Sequence, residues 1–198
     1  MLILPPSSRR FRTPDSQSGN RGSNPLGGTN KLYMRESKFL GEYVRVILEH
    51  HKTSGTTRER VYLRDSVHVL IVDDAKYLYL LKEKRWELKG KKTVHLISGI
   101  IEKDESPIKA AKRELEEEAD ITACTLRKVL THNQKGTVNQ RKHYYVATLH
   151  KQAKVDNSLL CKYSLRDLKR LILQGFFGPT TSGSLINFLA RLDSIRGR

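Results

Sequence analysis

Between positions 98 and 121 the chain reads SGIIEKDESPIKAAKRELEEEADI, and four glutamates crowd into positions 114–118. Ser106 offers an N-cap hydroxyl, and Pro107 suits the first helical position, so a helix is predicted to begin here. At 3.6 residues per turn, Ile108, Ala111, Leu115 and Ala119 form the stripe expected to be buried. Glu114, Glu117 and Glu118 stand at i, i+3 and i+4, so their carboxylates converge on one patch beside that stripe, while Glu116 points elsewhere. Like charges so placed weaken a helix by about a few tenths of a kcal/mol per pair. A hard divalent cation removes the penalty by taking carboxylate oxygens, and Arg113 can offset part of it. Glutamate runs are more often solvated helix faces; here the spacing decides otherwise, as the wider pattern below makes clear.

The helix sits within an alternation of strands and helices. GEYVRVILEHH and RERVYLRDS flank KTSGTT as a predicted β-hairpin, and the ordered region is expected to begin near Phe39. VHVLIV (67–72) is a continuous apolar run, the mark of a central strand buried on both faces. YLYLLKEK reads as a second strand after the Asp73-Asp74 turn, KRWELKGKK as a charged loop, and TVHLISGII as one further strand. TLRKVLTH and KHYYVATLH are two more, joined by the polar loop NQKGTVNQR. SLRDLKRLILQG is a helix capped by Ser164 and stopped by Gly175, and TSGSLINFLARLDSI is a final amphipathic helix. The sum is a mixed α/β domain without internal repeats.

Length and charge bound the rest. A chain of 198 residues is long enough for one well-cored domain. No apolar run approaches the roughly 20 residues that span a bilayer, so no membrane partner is expected. Cys124 and Cys161 make no metal or redox motif, and we read a cytoplasmic protein with reduced thiols. The formal net charge is +16, and from Ala119 to Arg198 there are 14 Lys or Arg against four Asp and no Glu. That field favours polyanionic partners, whether phosphorylated small molecules, RNA or DNA, and does not choose between a nucleotide enzyme and a nucleic-acid binder. Residues 1–33 are Ser-, Arg-, Gly-, Asn- and Pro-rich and read as a disordered tail ahead of a domain spanning 34–198. RGSNPLGGT can be back-translated into the T-arm and acceptor end of a transfer RNA gene, so the tail is expected to be a mis-called start, with Met34 as the true one.

From Gly99 the spacing is G-x5-E-x7-R-E-L-x-E-E-x-D-I, carried by Gly99, Glu105, Arg113, Glu114, Leu115, Glu117, Glu118, Asp120 and Ile121. It resembles the box of the Nudix hydrolases, G-x5-E-x7-R-E-U-x-E-E-x-G-U with U aliphatic, at eight of nine constrained positions. At average residue frequencies a chance match is on the order of one in a million, so the solvated-face alternative recedes. Asp120 stands where the pattern has the glycine that ends the helix at positive φ, a conformation Asp tolerates. The resemblance covers roughly residues 39–198. It implies an α/β/α sandwich around a mixed β-sheet and hydrolysis, dependent on Mg²⁺ or Mn²⁺, of a nucleoside diphosphate linked to another group. By position, it implies Glu114 and Glu118 as principal metal ligands, Glu117 as a further one, and the Ser98 carbonyl as another. Glu105 and Arg113 would position loop and helix.

Three features are similar to the ADP-ribose pyrophosphatase branch: the N-terminal hairpin, HLISG before the box, and LILQGFFGPTTSGSLINFL near the end. That likeness implies ADP-ribose as substrate, AMP and ribose 5-phosphate as products, and a homodimer formed through the N-terminal strands. His95 and Ile97 replace the branch's glutamate and proline in HLISG. The loop KQAKVDNSLLCKYS lacks the branch's catalytic glutamate, and its only acid is Asp156. Asp156 or a box glutamate then serves as base, and the box glutamates are preferred. Arg85 and Trp86, ahead of the box, are placed to meet a phosphate and stack on a base, or simply to anchor their loop. Tyr144 and Tyr145 read as strand packing, and the seven histidines show no metal-ligand spacing. Two competing functions stay open: an RNA 5′-end pyrophosphohydrolase, which the basic C-terminal half would suit, and a non-catalytic nucleotide- or RNA-binding module.

Overall fold

Period-two alternation of apolar side chains in the central strands decides how the layers assemble. The computed structural model describes residues 33–85, 89, 91–151, 153, 155 and 158–196. In chain order, β1 (Tyr33–Leu40), β2 (Val44–His51) and β3 (Thr57–Leu63) form an antiparallel meander. β4 (Ser66–Val72) and β5 (Leu78–Arg85) follow, then β6 (Lys91–His95) on β5 and β7 (Ile97–Ile100) on β4. Next come α1 (Pro107–Ala119), the antiparallel pair β8 (Cys124–Gln134) and β9 (Val138–Leu149), and β10 (Leu160–Tyr163). α2 (Leu165–Leu173) and α3 (Pro179–Arg196) close the chain.

The sheet order is β1-β2-β3-β9-β4-β5-β10, and β9 is its hub. Its first residues run parallel to β3 at Val61 and Tyr62, and from Lys142 to Thr148 it runs parallel to β4. On β4, Val67, Val69 and Ile71 face α1 and pack with Ala110, Ala111 and Leu115. Leu70 faces the opposite way and packs with Leu168 of α2 and with Leu185 and Phe188 of α3. β9 repeats the pattern, with Tyr145, Ala147 and Leu149 toward α1 and Tyr144 and Val146 toward the terminal helices. Helices therefore cover both faces of a mixed sheet, the α/β/α sandwich expected. Tyr144 and Tyr145 are both buried, as strand packing requires.

Five local readings change, the first being that NQKGTVNQR is mostly strand rather than loop, because β8 runs on to Gln134 and β9 begins at Val138. Ile108 is exposed, whereas Ala110 and Glu114 join the buried face, because the stripe centres between the 110/114 and 111/115 rows and Ile108 lies at its margin in the first turn. TVHLISGII is two strands rather than one: β4 and β5 pair only at Ile71–Tyr79 and Val72–Leu78 before splaying, so the chain leaves β5 at His95 and joins β4 from Ile97. Strand structure starts at Tyr33, ahead of Phe39, on a segment that pairs through backbone and charge rather than apolar alternation; Arg35 and Arg60 both clamp Glu49, at 3.1 Å each. β10, read as loop, pairs with Leu78–Leu81 of β5. Residues 1–32 lie outside the described part, so the expectations about a tail have no structural counterpart. No helix among the described residues is long and apolar enough to cross a membrane, and Cys124 and Cys161 are free thiols.

Phe188 is fully buried in the layer beneath the terminal helices, whereas Leu173 is 88% exposed. Phe188→Ala should lower the unfolding free energy by about 3–5 kcal/mol, and Leu173→Ala should change it by less than about 0.5 kcal/mol, both read from urea denaturation.

Candidate active site

α1 begins and ends as its sequence dictates. The Ser106 hydroxyl accepts the N–H of Lys109, and Pro107 occupies the first helical turn. At the other end Asp120 takes the left-handed conformation at φ 53°, where glycine is the usual residue. Its N–H reaches the Glu116 carbonyl and that of Ile121 reaches Leu115, so the last carbonyls are satisfied without a glycine. The substitution at 120 leaves the helix terminus intact.

The helix lies against β7, and two of its glutamates are held there. Glu114 is only 8% exposed, and its carboxylate rests directly over Gly99. A Cβ at position 99 would stand 1.7 Å from Glu114 Oε1, so the motif glycine is needed as a seat for this carboxylate. One turn on, Glu118 Oε2 accepts the N–H of Ser98 at 3.2 Å. Ladder parity explains why that N–H is available. Ile101 N–H bonds to the Asp65 carbonyl, which makes 65/101 and 67/99 the bonded pairs of β4 and β7 and turns the polar groups of Ser98 and Ile100 outward. The Ile100 carbonyl accordingly accepts from Arg113, and the Ser98 carbonyl is directed to the same open edge.

Arg113 joins these parts. Its guanidinium donates to both oxygens of Glu105 at 3.0 and 3.1 Å, to Glu114 at 2.7 Å, to Glu117 at 3.0 Å and to the Ile100 carbonyl at 3.0 Å. Glu105 also caps its own loop by accepting the N–H of Glu102. Arg113 holds the Glu105 carboxyl below its usual range against the opposing effect of burial, helped by that N–H. Burial pushes the Glu114 carboxyl up, and Arg113 only partly offsets it. Glu117 is exposed on the outer side of the helix.

The donors are hard oxygens, the class that Mg²⁺ and Mn²⁺ take. Glu114, with its seat on Gly99, and Glu118, on Ser98, present them one turn apart at a strand edge. As the side chains stand, no three acid, histidine or cysteine groups among the described residues converge to hold a metal. The Arg113 guanidinium occupies the position between Glu114 and Glu117 that a cation would compete for, so Glu117 must leave Arg113 for the three to act together. The residue types and the two seated carboxylates fit a divalent ion.

Two cavities border the Ser98–Ile100 segment. One, of about 560 Å³, is lined by Glu42, Tyr43, Arg64, Ile100, Glu102, Lys103, Arg113 and Glu114. The Arg64 guanidinium lies 5.6 Å from the Tyr43 ring centre and 3.9 Å from Glu42, and the cations Arg64, Lys103 and Arg113 share this lining with the acids Glu42, Glu102 and Glu114. The other opens between β6, β7 and the start of α3. Arg64 and Tyr43 belong to no motif, and only the fold brings the end of β3 to the box; Lys103 lies within it. Of the remaining expected residues, Asp156 and Trp86 lie outside the described residues, and Arg85 is placed only as the end of β5, opposite Lys91. His95 is buried, with Nε2 2.9 Å from Glu83 Oε1 and Nδ1 2.9 Å from the Leu96 carbonyl. His68 is buried too; it stacks on Tyr144 at 5.1 Å, and burial, aided by Lys142, pushes its pKa down to about 4.

The family model of the NUDIX domain matches residues 62–170. Among solved structures, "Crystal structure of ADP compounds hydrolase" superposes with a TM-score of 0.57 at 18% identity, covering 81% of this chain and 92% of that one. No curated protein sequence matches the chain.

Gly99→Ala should retain the fold, because the atoms it meets first are the end of a flexible side chain, and should lower stability by about 1–2 kcal/mol. A crystal structure of the variant should show the Glu114 carboxylate displaced from its seat. Glu105 supplies a pH test. A folded-state value below the unfolded one adds stability that is present above the ordinary glutamate range and disappears as pH falls through the lowered value. Glu105→Gln should therefore cost on the order of 1–3 kcal/mol at pH 7, and the two proteins should converge in chemical denaturation as pH falls below the ordinary glutamate range.

Proposed function

The chain belongs to the NUDIX domain family and is a Nudix pyrophosphohydrolase, and from that premise we propose that it cleaves ADP-ribose to AMP and ribose 5-phosphate with Mg²⁺ or Mn²⁺. The observation that carries the reading is the pair of seated carboxylates: Glu114 on Gly99 and Glu118 on the Ser98 N–H, one helical turn apart on the same strand edge. Those two carboxylates and the Ser98 carbonyl would hold the ion, and Glu117 would add an oxygen once released from Arg113. Such an ion neutralises a diphosphate and lowers the pKa of a bound water.

The chain's own groups do the rest. Arg113 keeps the Glu105 loop fastened to the helix, so the strand edge and the two carboxylates move as one body. Arg64 and Lys103 offer cations to phosphate oxygens from the neighbouring cavity, and the +16 net charge draws an anionic substrate toward it. Glu117, exposed and at the outer rim of the helix, is the box glutamate best able to take a proton from water. Met34, Phe39 and Leu40 are exposed on β1, the outermost strand of the meander, and we assign this edge to a homodimer. The superposition with a protein described as an ADP compounds hydrolase supports the substrate class.

Incubating the chain with Mg²⁺ and ADP-ribose should release AMP, and Glu118→Gln should slow release by about 10²- to 10³-fold while leaving the melting temperature within a few degrees. Full activity in that variant would overturn the role given to Glu118, and no AMP from the wild type alongside turnover of NADH, diadenosine polyphosphates or 5′-triphosphate RNA would replace this substrate with another.

A further inference from the structure

The antiparallel meander has two unlike faces. Register puts Val44, Val46 and Leu48 of β2 on one of them, beside Val61 and Leu63 of β3. The other carries Arg35 on β1, Arg45 and Glu49 on β2, and Arg58, Arg60 and Tyr62 on β3. Protein surfaces ordinarily intersperse charges of both signs, but here four arginines stand around one carboxylate. Glu49 answers Arg35 and Arg60 at 3.1 Å each. Arg45 and Arg58 are exposed, and the register gives them no second carboxylate on this face of the meander. Arg58 and Arg60 share a face of one strand, and Arg45 lies diagonal to Arg60 across the β2–β3 pair, so like charges repel there. A polyanion laid across the face would relieve that repulsion.

The charged face runs on to the β8–β9 hairpin. The Arg60 guanidinium donates to the Gly136 carbonyl at the hairpin tip, and Tyr62 pairs with Asn139 where β3 meets β9. A cavity of about 370 Å³ opens there. Arg45, Lys135 and Arg141 line it, and Asp65 holds Arg141 at 2.9 Å. The carboxamides of Asn133, Gln134, Asn139 and Gln140 line it too, and Tyr62 adds an aromatic ring. Asn139 and Gln140 donate to the carbonyls of Val61, Gly136 and Arg64 and so brace the wall. Asn133 and Gln134 end β8 beside the exposed Lys135. No residue of this lining belongs to the cavity beside Glu114.

We propose that the arginine face and this cavity form a binding surface for single-stranded nucleic acid, separate from the hydrolytic site. Arg45, Arg58 and Lys135 take backbone phosphates, and Asn133 and Gln134 read the edge of a base that enters the cavity. A carboxamide presents a donor and an acceptor side by side, which matches the edge of an unpaired base. A polyanion without bases, such as an anionic lipid surface, would leave the carboxamide wall unused. A second copy of the chain does not suit the face either, because arginines would meet arginines. RNA and single-stranded DNA share the phosphates and bases recognised here and differ in the 2′-hydroxyl.

Fluorescence anisotropy on the full chain tests this with a short labelled RNA of mixed sequence. Its 5′ end is a hydroxyl, so it offers no pyrophosphate to hydrolyse. The same sequence as single-stranded DNA and as an RNA duplex completes the set. Three phosphate contacts predict a log–log salt slope of about −2 on a single strand, a loss of roughly twentyfold between about 50 and 200 mM salt. Arg45→Ala combined with Arg58→Ala should weaken binding at least about tenfold and bring the slope to about −0.7. Asn133→Ala combined with Gln134→Ala should weaken it roughly three- to tenfold and leave the slope unchanged. Melting curves check that the variants are folded; if the arginine pair is not, Lys135→Ala decides, with a slope shallower by about 0.7. Binding of either single strand supports the proposal, and tighter binding of RNA adds a contact to the 2′-hydroxyl. A surface that reads charge alone would favour the duplex, whose charge is denser, so duplex binding as tight as single-strand binding would overturn the proposal. So would unchanged affinity in the arginine pair or in the carboxamide pair, or no single-strand binding to the wild type at micromolar concentration. Phosphatidylserine vesicles bound in preference to the RNA would overturn it in favour of a membrane surface.

Discussion

Arg113 is the residue on which the geometry of the site depends. A guanidinium is planar and always charged, and it offers five donors in a fixed fork. Here that fork spans the Glu105 carboxylate, two acids of its own helix and the carbonyl of Ile100. These partners come from three places: the loop entering α1, the helix itself and the strand it packs on. A lysine carries the same charge but no planar fork, and could not hold both Glu105 oxygens while reaching the strand. The two partly buried acids explain the choice. Glu114 is pushed toward the neutral form by burial, and the permanent cation beside it opposes that push. The arginine keeps an ionised donor in place at a position where water cannot.

Much of this could be read from the residues alone, because the constraints are local. The i, i+3, i+4 spacing at 114, 117 and 118, the Ser106 cap and the left-handed Asp120 involve neighbours within one or two turns, which the sequence displays directly. Gly99 was legible as part of a pattern, but its physical reason was not: only the packed structure brings a carboxylate from 15 positions later onto its Cα. The central strands were legible because burial on both faces removes polar residues from the run.

What escaped the sequence was set by partners far along the chain. The break at Leu96 depends on how β4 and β5 diverge, and no residue in TVHLISGII announces it. Ile108 follows the helical period faithfully, yet the sheet meets the helix slightly to one side of it, toward Ala110 and Glu114. β1 carries few apolar residues inward; its pairing is secured by Arg35 and Arg60 on the buried Glu49, a contact between three strands. The cavity between β6, β7 and α3 is the extreme case. Thr93, Ser98 and Ser184 are separated by up to 91 positions, are chemically commonplace, and become a set only when α3 closes over the split between β6 and β7.

That split links the fold to the site. Had β6 and β7 continued as one strand on β5, β4 would lack the edge partner whose outward polar groups meet Arg113 and Glu118. Moving to β4 puts Gly99 beneath the helix and turns the Ser98 side chain, which lies opposite His68, to the other face of the sheet. One short strand thereby serves two faces and an edge: Gly99 receives a carboxylate from α1, the backbone of Ser98 serves the carboxylate edge, and its side chain enters the cavity under α3. Four residues of β7 can do this because successive side chains alternate while the backbone polar groups of alternate residues point to the same edge. A single-residue slip of β7 against β4 would exchange those roles. It would place the Ser98 side chain against Glu114 and turn the outward N–H and carbonyl into the ladder, so the register that fixes the core also fixes the chemistry.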